Sequence, residues 1–243
     1  MGTSRDRLLD GSLLIEQPVQ GYRVGFDPLL LSAFAPLVKQ GSKVMDLGCG
    51  AGAVFLSLSL RQPELAITAM DREPEFCSLA LANAHLNNLS DVSILEADIR
   101  QHPCSFASND FDLVLANPPF YPKGSGRLSA DPKRAAAHHE LHGNLIDWLR
   151  CGEYLTTDDG WFCLIHLAER ADECLQILQV SFASIEWLLV RPQASKPTNR
   201  VLIRACKAGT QSVRQLPDLI LHQADGSLTP RAASVINARS RLD

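Results

Sequence analysis

Asn117-Pro118-Pro119-Phe120 puts two hydrogen-bond acceptors beside an aromatic ring, directly after the apolar run Phe111 to Ala116, which reads as a buried strand. Successive prolines hold φ at about −65° and keep the preceding residue extended. The Asn117 side chain and the Pro118 carbonyl are therefore held in fixed directions. That pair suits a flat ring with an exocyclic amino group: the acceptors take its two N–H donors and Phe120 stacks on its face. A proline-rich turn that merely ends a strand would look the same in isolation, so the chemical case depends on what else reaches this edge.

Three further groups end apolar runs in the same way. Asp46-Leu47-Gly48-Cys49-Gly50-Ala51-Gly52 closes one strand and opens a helix, Asp71 closes the next strand, and Asp98 follows the third. Glycines let the backbone approach a ligand where a Cβ would block it. The spacing is Gly-x-Gly-x-Gly, not the Gly-x-Gly-x-x-Gly of pyrophosphate binding, and no Gly-Lys-Ser/Thr follows. Asp71, about twenty residues past the glycines, is placed like the acid that accepts both ribose hydroxyls in nucleoside-cofactor folds. The plainer readings are a ligand-free glycine turn, a solvated strand-end carboxylate at Asp71 and a turn cap at Asp98. Asp98 would otherwise accept from an adenine amino group, and Asp46 would contact the loop or the positive end of a cofactor. Cys49 reads as a small filler in the turn.

The elements that must position these groups follow a strand-then-helix rhythm from Ser42. Strands are expected at Lys43–Leu47, Leu65–Met70, Val92–Ala97, Phe111–Ala116 and Trp161–Leu167, and helices at Ala51–Leu60, Glu73–Leu86, Leu145–Tyr154 and Glu169–Val180. Such alternation implies parallel strands with right-handed crossovers, so the four motifs converge at the carboxyl edge of one sheet. Ile185–Val190 and Arg200–Cys206 read as strands with no helix between them, an antiparallel edge pair. Before the rhythm begins, residues 1–5 are expected to be disordered, Asp10-Gly11 to turn a hairpin, and Asp27 to cap a helix from Leu29 to Val38 with Pro28 in its first turn. Residues 216–236 read as a small hairpin around Asp225-Gly226. The domain reading is an N-terminal hairpin and helix (1–40), a catalytic α/β domain (41–207) and a C-terminal tail (208–243).

The 243 residues suit one large α/β domain, and 46% hydrophobic content suffices for its core. No apolar run reaches the length of a membrane span and no signal peptide is evident, so a cytoplasmic location is expected. Seven scattered cysteines without a Cys-x-x-Cys pair fit reduced thiols, and neither they nor the histidines have metal-ligand spacing. A net charge of −4 leaves any nucleic-acid contact to local patches. Two segments qualify: Tyr121 to Glu140, with Lys123, Arg127, Lys133 and Arg134, and the acid-free basic run Arg191, Lys196, Arg200, Arg204, Lys207 and Arg214. Solvated loops and a charge-guarded strand edge are the plainer account of both. Pro103-Cys104 precedes the fourth strand instead of following it, which discounts it as a strand-end motif.

Val44 to Gly52 together with Asn117-Pro118-Pro119-Phe120 resembles the S-adenosylmethionine-dependent class I methyltransferases that act on amino nitrogens. Gln17-Pro18, Gly21-Tyr22-Arg23, Asp27, Tyr121 and Arg134-Ala135-Ala136-Ala137-His138 are similar to the bacterial tRNA1(Val) adenine-N6-methyltransferases. Phe120 departs from the commoner Tyr but keeps the stacking face. The resemblance implies a Rossmann-like, seven-stranded, mostly parallel sheet with an antiparallel edge strand and helices on both faces. It also implies S-adenosylmethionine held by Asp46, Gly48, Cys49, Gly50, Gly52, Asp71, Arg72, Asp98 and Asn117, and chemistry at Asn117, Pro118, Pro119 and Phe120. The substrate would be tRNA, contacted by Tyr121, Lys123, Arg127, Lys133, Arg134 and Arg200, with no metal and no membrane, and the protein would be a monomer. Methyl transfer to a protein glutamine amide or to the amino group of an rRNA guanine stays open, as does a non-catalytic RNA-binding module. A DNA adenine methyltransferase lacks room for a target-recognition domain, and an NAD-linked oxidoreductase would need a catalytic acid or base that is not evident.

Overall fold

The structure is a computed structural model that describes residues 2–20, 23–100, 106–122, 139–140 and 144–242. Its centre is a nine-stranded sheet. Five parallel strands carry the alternation seen in the sequence: β3 (Lys43–Leu47), β4 (Ala66–Asp71), β5 (Val92–Glu96), β6 (Phe111–Ala116) and β9 (Thr156–Leu167). Between them run the helices α2 (Ala53–Arg61), α3 (Pro74–Leu86) and α4 (Leu145–Leu155). The spatial order β5-β4-β3-β6-β9 reverses direction at β3, so the chain winds one way through β4 and β5 and then crosses to the other side of β3. Such a switch point opens a crevice at the carboxyl ends of the two central strands.

Both faces of the sheet are buried. Along β6, Leu113 and Leu115 join one core while Val114 and Ala116 join the other, as expected for strands covered by helices on both sides. α1 (Asp27–Phe34), α2 and α3 contribute to the first core, and α4 with α5 (Ala171–Leu178) to the second.

The antiparallel strand is not at the edge. β11 (Arg200–Cys206) runs antiparallel between β9 and β10 (Ser184–Gln193), and β10 resumes the parallel direction beyond it. The C-terminal residues are not a tail either. β12 (Ser212–Gln215) and β13 (Leu219–His222) pair in tandem with the outer side of β10 and carry the sheet past seven strands. The turn at Asp225-Gly226 is present, but the hairpin shrinks to one bridge between His222 and Leu228. Thr229 then caps α6 (Pro230–Ile236), whose Pro230 suits the first turn.

At the other end, β1 (Thr3–Leu8) and β2 (Leu13–Pro18) form the expected hairpin, and Thr3 to Arg5 are paired strand residues, not a disordered end. Two asparagines one turn apart, Asn83 in α3 and Asn87 at its C-cap, hold this hairpin. Glu16 N donates to Asn83 Oδ1 (2.7 Å) and Asn83 Nδ2 donates to Glu16 O (2.8 Å). Asn87 makes the same double bond with Leu14 (2.9 and 2.6 Å). Each amide replaces one rung of a β-ladder, so the edge of β2 is satisfied by a helix. α1 begins at Asp27, two residues earlier than expected. It ends at Phe34 because Pro36 forces Ala35 out of helical geometry, to ψ 136°.

Candidate active site

The strand ends are in step. Leu47 of β3 lies opposite Met70 of β4 and Ala116 of β6, so Gly48, Asp71 and Asn117 follow at one level. Gly48, Gly50 and Gly52 all have positive φ (65°, 53° and 91°), a region costly for other residues. Their surroundings differ. A Cβ on Gly48 would lie 2.4 Å from the Trp148 ring, and one on Gly52 would lie 2.6 Å from the Phe55 ring. Among the described residues nothing lies within 4 Å of a Cβ on Gly50. Two of the glycines thus serve packing, and Gly50 leaves backbone open to the crevice. Cys49 is buried, and burial pushes its thiol up well above the ordinary value, as fits a filler.

Asp46 and Asp71 organise the turn from beneath. Asp46 is 1% exposed and accepts from Phe55 N, in the first turn of α2, at 3.1 Å. Burial raises its pKa to about 8, against the opposing Phe55 bond and with help from the neighbouring Asp71 charge. Asp71 accepts from Gly50 N (2.9 Å) and Glu73 N (3.0 Å). Burial raises its pKa too, opposed by those two backbone bonds. Each of its oxygens keeps a second lone pair for a ligand hydroxyl. Asp98 is held by Arg100, whose Nε and Nη2 reach its two oxygens at 3.0 and 2.5 Å. The Arg100 hydrogen bond keeps this carboxyl below its usual range. Arg72 donates to Glu73 and lies 3.9 Å from Asp98. A cavity of about 470 Å³ opens beside this pair, lined by Ile99, Arg100, Asp147, Arg150, Glu153 and Tyr154.

Across the switch point, Asn117 and Pro119 are half-buried and Pro118 and Phe120 are buried. The Phe120 ring has neighbours: the His166 ring meets it edge-on (5.6 Å, 88°), and the Arg200 guanidinium lies 4.2 Å from its centroid. Arg200 is therefore part of the wall around the tetrad, and its Nε donates to Asp27 at 3.1 Å. This pairing also explains why Asp27 does not cap α1; Phe26 holds the cap position without a side-chain bond.

The basic run does not form one patch. Its segment contains no acid, but the fold brings acids from elsewhere. Glu186 pairs with Arg204 (2.6 Å) and Arg214, and Asp218 pairs with Arg191 (2.9 Å). Lys207 donates to Asn109 and to the Thr156 carbonyl. Lys196 is exposed in the β10–β11 connection. Gly21, Tyr22, Lys123, Arg127, Lys133, Arg134, His138 and the Pro103-Cys104 pair lie outside the described residues. Tyr121 is described through its backbone, which with Pro122 forms β7 and pairs with β8 (His139–Glu140). Gln17, carried by the resemblance, receives Val24 N and donates to Asp6, fixing the chain between hairpin and α1.

Trp148 is the site residue that motif reading missed. Its signal was an aromatic in the first turn of the helix after the tetrad, but its contact with Gly48 is made only in three dimensions. Among the described residues its Nε1 has no hydrogen-bond partner although buried, and the same holds for Asp46 Oδ1 and Arg72 Nη1. Left so, each costs about 1–3 kcal/mol. One acceptor and two donors around an open glycine backbone fit a polar ligand carrying both charges, as S-adenosylmethionine does. Among the described residues no cluster of three or more metal-ligating side chains occurs, and no helix is long and apolar enough to cross a membrane.

A Rossmann-like sheet with a glycine turn and an acid at successive strand ends defines a class I methyltransferase, whose cofactor is S-adenosylmethionine. Solved structures share this fold. A "predicted O-methyltransferase" from Agrobacterium tumefaciens aligns over 89% of this chain and 98% of its own, with a TM-score of 0.72 and 21% identity. The P. horikoshii TYW2 in complex with MeSAdo aligns over 85% of this chain and 72% of its own, with a TM-score of 0.58 and 14% identity. Residues 27–139 match the Methyltransferase small domain. The tRNA1(Val) (adenine(37)-N6)-methyltransferase of Yersinia enterocolitica is 31% identical over 223 residues, 88% of this chain and 84% of its own. Its Yersinia pseudotuberculosis counterpart is 28% identical over 229 residues, again 88% and 84%. The chain belongs to this methyltransferase family.

Proposed function

We propose that the protein transfers the methyl group of S-adenosylmethionine to the exocyclic amino nitrogen of an adenine in tRNA, the adenosine 3′ of the anticodon of tRNA-Val, and does so as a cytoplasmic monomer. The observation that carries this reading is the register of β3 and β6, which sets the Asn-Pro-Pro-Phe tetrad next to the glycine turn across the switch point. The names of the Yersinia relatives point to the same substrate.

When bound, the cofactor supplies a methyl group made electrophilic by its sulfonium. Gly50 leaves it room, Asp71 has lone pairs for its ribose, and Asp46 and Trp148 offer an acceptor and a donor. The acceptor nitrogen is a poor nucleophile because its lone pair is delocalised into the ring. Asn117 and the Pro118 carbonyl accept its two N–H bonds, favour a more tetrahedral nitrogen and spread the charge that develops on it. The nitrogen becomes acidic as its new bond forms, so its proton passes to solvent without a strong base. Orientation supplies most of the rate, with about 7–11 kcal/mol available to well-aligned groups. An anticodon-loop base leaves its stack at low cost.

The test is nucleoside mass spectrometry on unmodified tRNA-Val after incubation with the protein and S-adenosylmethionine. N6-methyladenosine 3′ of the anticodon is expected. Methylguanosine, or unmodified nucleosides alone, would remove the adenine reading.

A further inference from the structure

Arg200 is held in a way that a phosphate-binding arginine is not. Its guanidinium faces the Phe120 ring at 4.2 Å, its Nε donates to Asp27 at 3.1 Å, and its Nη1 donates to the Asn199 carbonyl at 3.0 Å. The side chains of Arg200 and Asp27 are 22% and 19% exposed, and Phe120 is 5% exposed. Arginine grips phosphate by pointing its donor fork at it; here the plane and two of the nitrogens are already engaged. The register explains the placement. Arg200 opens β11 opposite Leu167, and β9 runs three residues past Leu164, the partner of Ala116. A residue at the start of β11 therefore stands beside the tetrad that follows β6.

We propose that Arg200 is a positioning residue for the acceptor: oriented by Asp27, it covers one side of Phe120 and fixes the ring against which the acceptor base is placed. The inference rests on the tetrad being the acceptor site. Three distant segments meet in this stack: the head of α1, the end of the tetrad and the start of β11. The Asp27 carboxylate also balances the guanidinium. An unbalanced cation in this wall would oppose the positive charge that develops on the acceptor nitrogen.

The experiment compares the parent with Arg200→Lys, Asp27→Asn and Lys196→Glu. Methylation of unmodified tRNA is measured across a salt series, alongside cofactor titration by calorimetry and thermal melting. Arg200→Lys keeps the charge and loses the plane. An ammonium cannot lie flat on the ring while reaching both Asp27 and the Asn199 carbonyl, so kcat/KM for tRNA should fall about five- to thirtyfold. Cofactor Kd, thermal midpoint and the salt slope of tRNA binding should stay parental. Asp27→Asn should act in the same direction and less strongly, whereas Lys196→Glu, at an exposed lysine, should make the salt slope shallower by about one.

Parental kcat/KM in Arg200→Lys would overturn the proposal. So would a loss accompanied by a shallower salt slope, which marks a phosphate ligand, or by weaker cofactor binding or melting, which marks a structural role. A parent that fails to methylate tRNA would count against the proposed function and not against the stack. The stack is then read by fluorine NMR of protein carrying 4-fluorophenylalanine, with the Phe120 signal assigned by Phe120→Leu. Arg200→Lys should move that signal, and an unmoved signal would overturn the contact.

Discussion

The two sides of the switch point hold their charged groups by different means. On the β3–β4 side, carboxylates are held by backbone N–H groups of the turns they support. Asp46 takes Phe55 nine residues on, and Asp71 takes Glu73 two residues on and Gly50 twenty-one residues back. On the β9–β11–β10 side, cations are held by carboxylates from other elements, at separations of 18 residues for Arg204–Glu186, 27 for Arg191–Asp218 and 173 for Arg200–Asp27. The cofactor-side bonds need only β3, β4 and the turns that follow them, with Trp148 added from α4. The acceptor side is complete only when α1 and the late strands have docked. Substitutions on the first side should therefore be felt as cofactor affinity or stability, and on the second as acceptor chemistry.

The sharpest separation is expected at Asn117. Asn117→Ala removes one transition-state hydrogen bond, typically about 2.7–4 kcal/mol or a hundred- to thousandfold in rate. Single-turnover methylation should show that loss while calorimetry finds cofactor affinity unchanged. A parallel loss of affinity would mean that the two sides are not separable.

Asp46 provides a pH test of the cofactor side. Its folded-state pKa, about 8, lies above the ordinary carboxylate value of 3.8. Stability conferred by the neutral carboxyl is fully present below the unfolded pKa and is lost as pH rises through the folded value. Asp46→Asn keeps an acceptor for Phe55 N and does not titrate. Cofactor-free parent should thus lose on the order of 4 kcal/mol relative to the variant between about pH 5 and pH 8.5. Denaturant unfolding at both pH values measures the difference, and equal differences would show that Asp46 is ionised throughout.

Asp71→Ala should weaken cofactor binding by about 1.5–3 kcal/mol, the scale of hydrogen bonds to a charged group. It also frees Gly50 N and Glu73 N, so the turn itself should loosen. Unchanged affinity in a folded variant would place the ribose elsewhere. The glycines should differ from one another, and Gly50 gives the smallest effect. Gly48→Ala meets both positive φ and the Trp148 ring, and should cost about 2–3 kcal/mol of stability. Gly50→Ala meets positive φ alone, at about 1–2 kcal/mol, and should be felt in cofactor affinity as well. Equal melting of the two variants would show that Trp148 yields.

The same contrast explains what the chain disclosed in advance. The glycine turn, Asp71 and the tetrad are short contiguous patterns whose geometry follows from glycine and proline, so their convergence at one edge was legible. Pro36 was a visible stop for α1, yet the apolar run to Val38 outweighed it. Arg200 was readable as a cation but not as the partner of Asp27 and Phe120, because neither lies near it in sequence. The basic run misled for the same reason: a segment free of acids says nothing about acids that tertiary structure brings to it. Trp148 and the Asn83–Asn87 pair belong to this second kind, since their partners are a turn and a strand from other parts of the fold.

The central claim is that the acceptor is the amino group of one adenine, and replacing that group tests it most directly. Unmodified tRNA-Val with adenosine 3′ of the anticodon is compared with the same RNA carrying inosine there, which has an oxygen in place of the amino nitrogen. With labelled S-adenosylmethionine and excess protein in a single turnover, the adenosine RNA should take up methyl and the inosine RNA should take up none. Equal uptake by both RNAs would contradict the account.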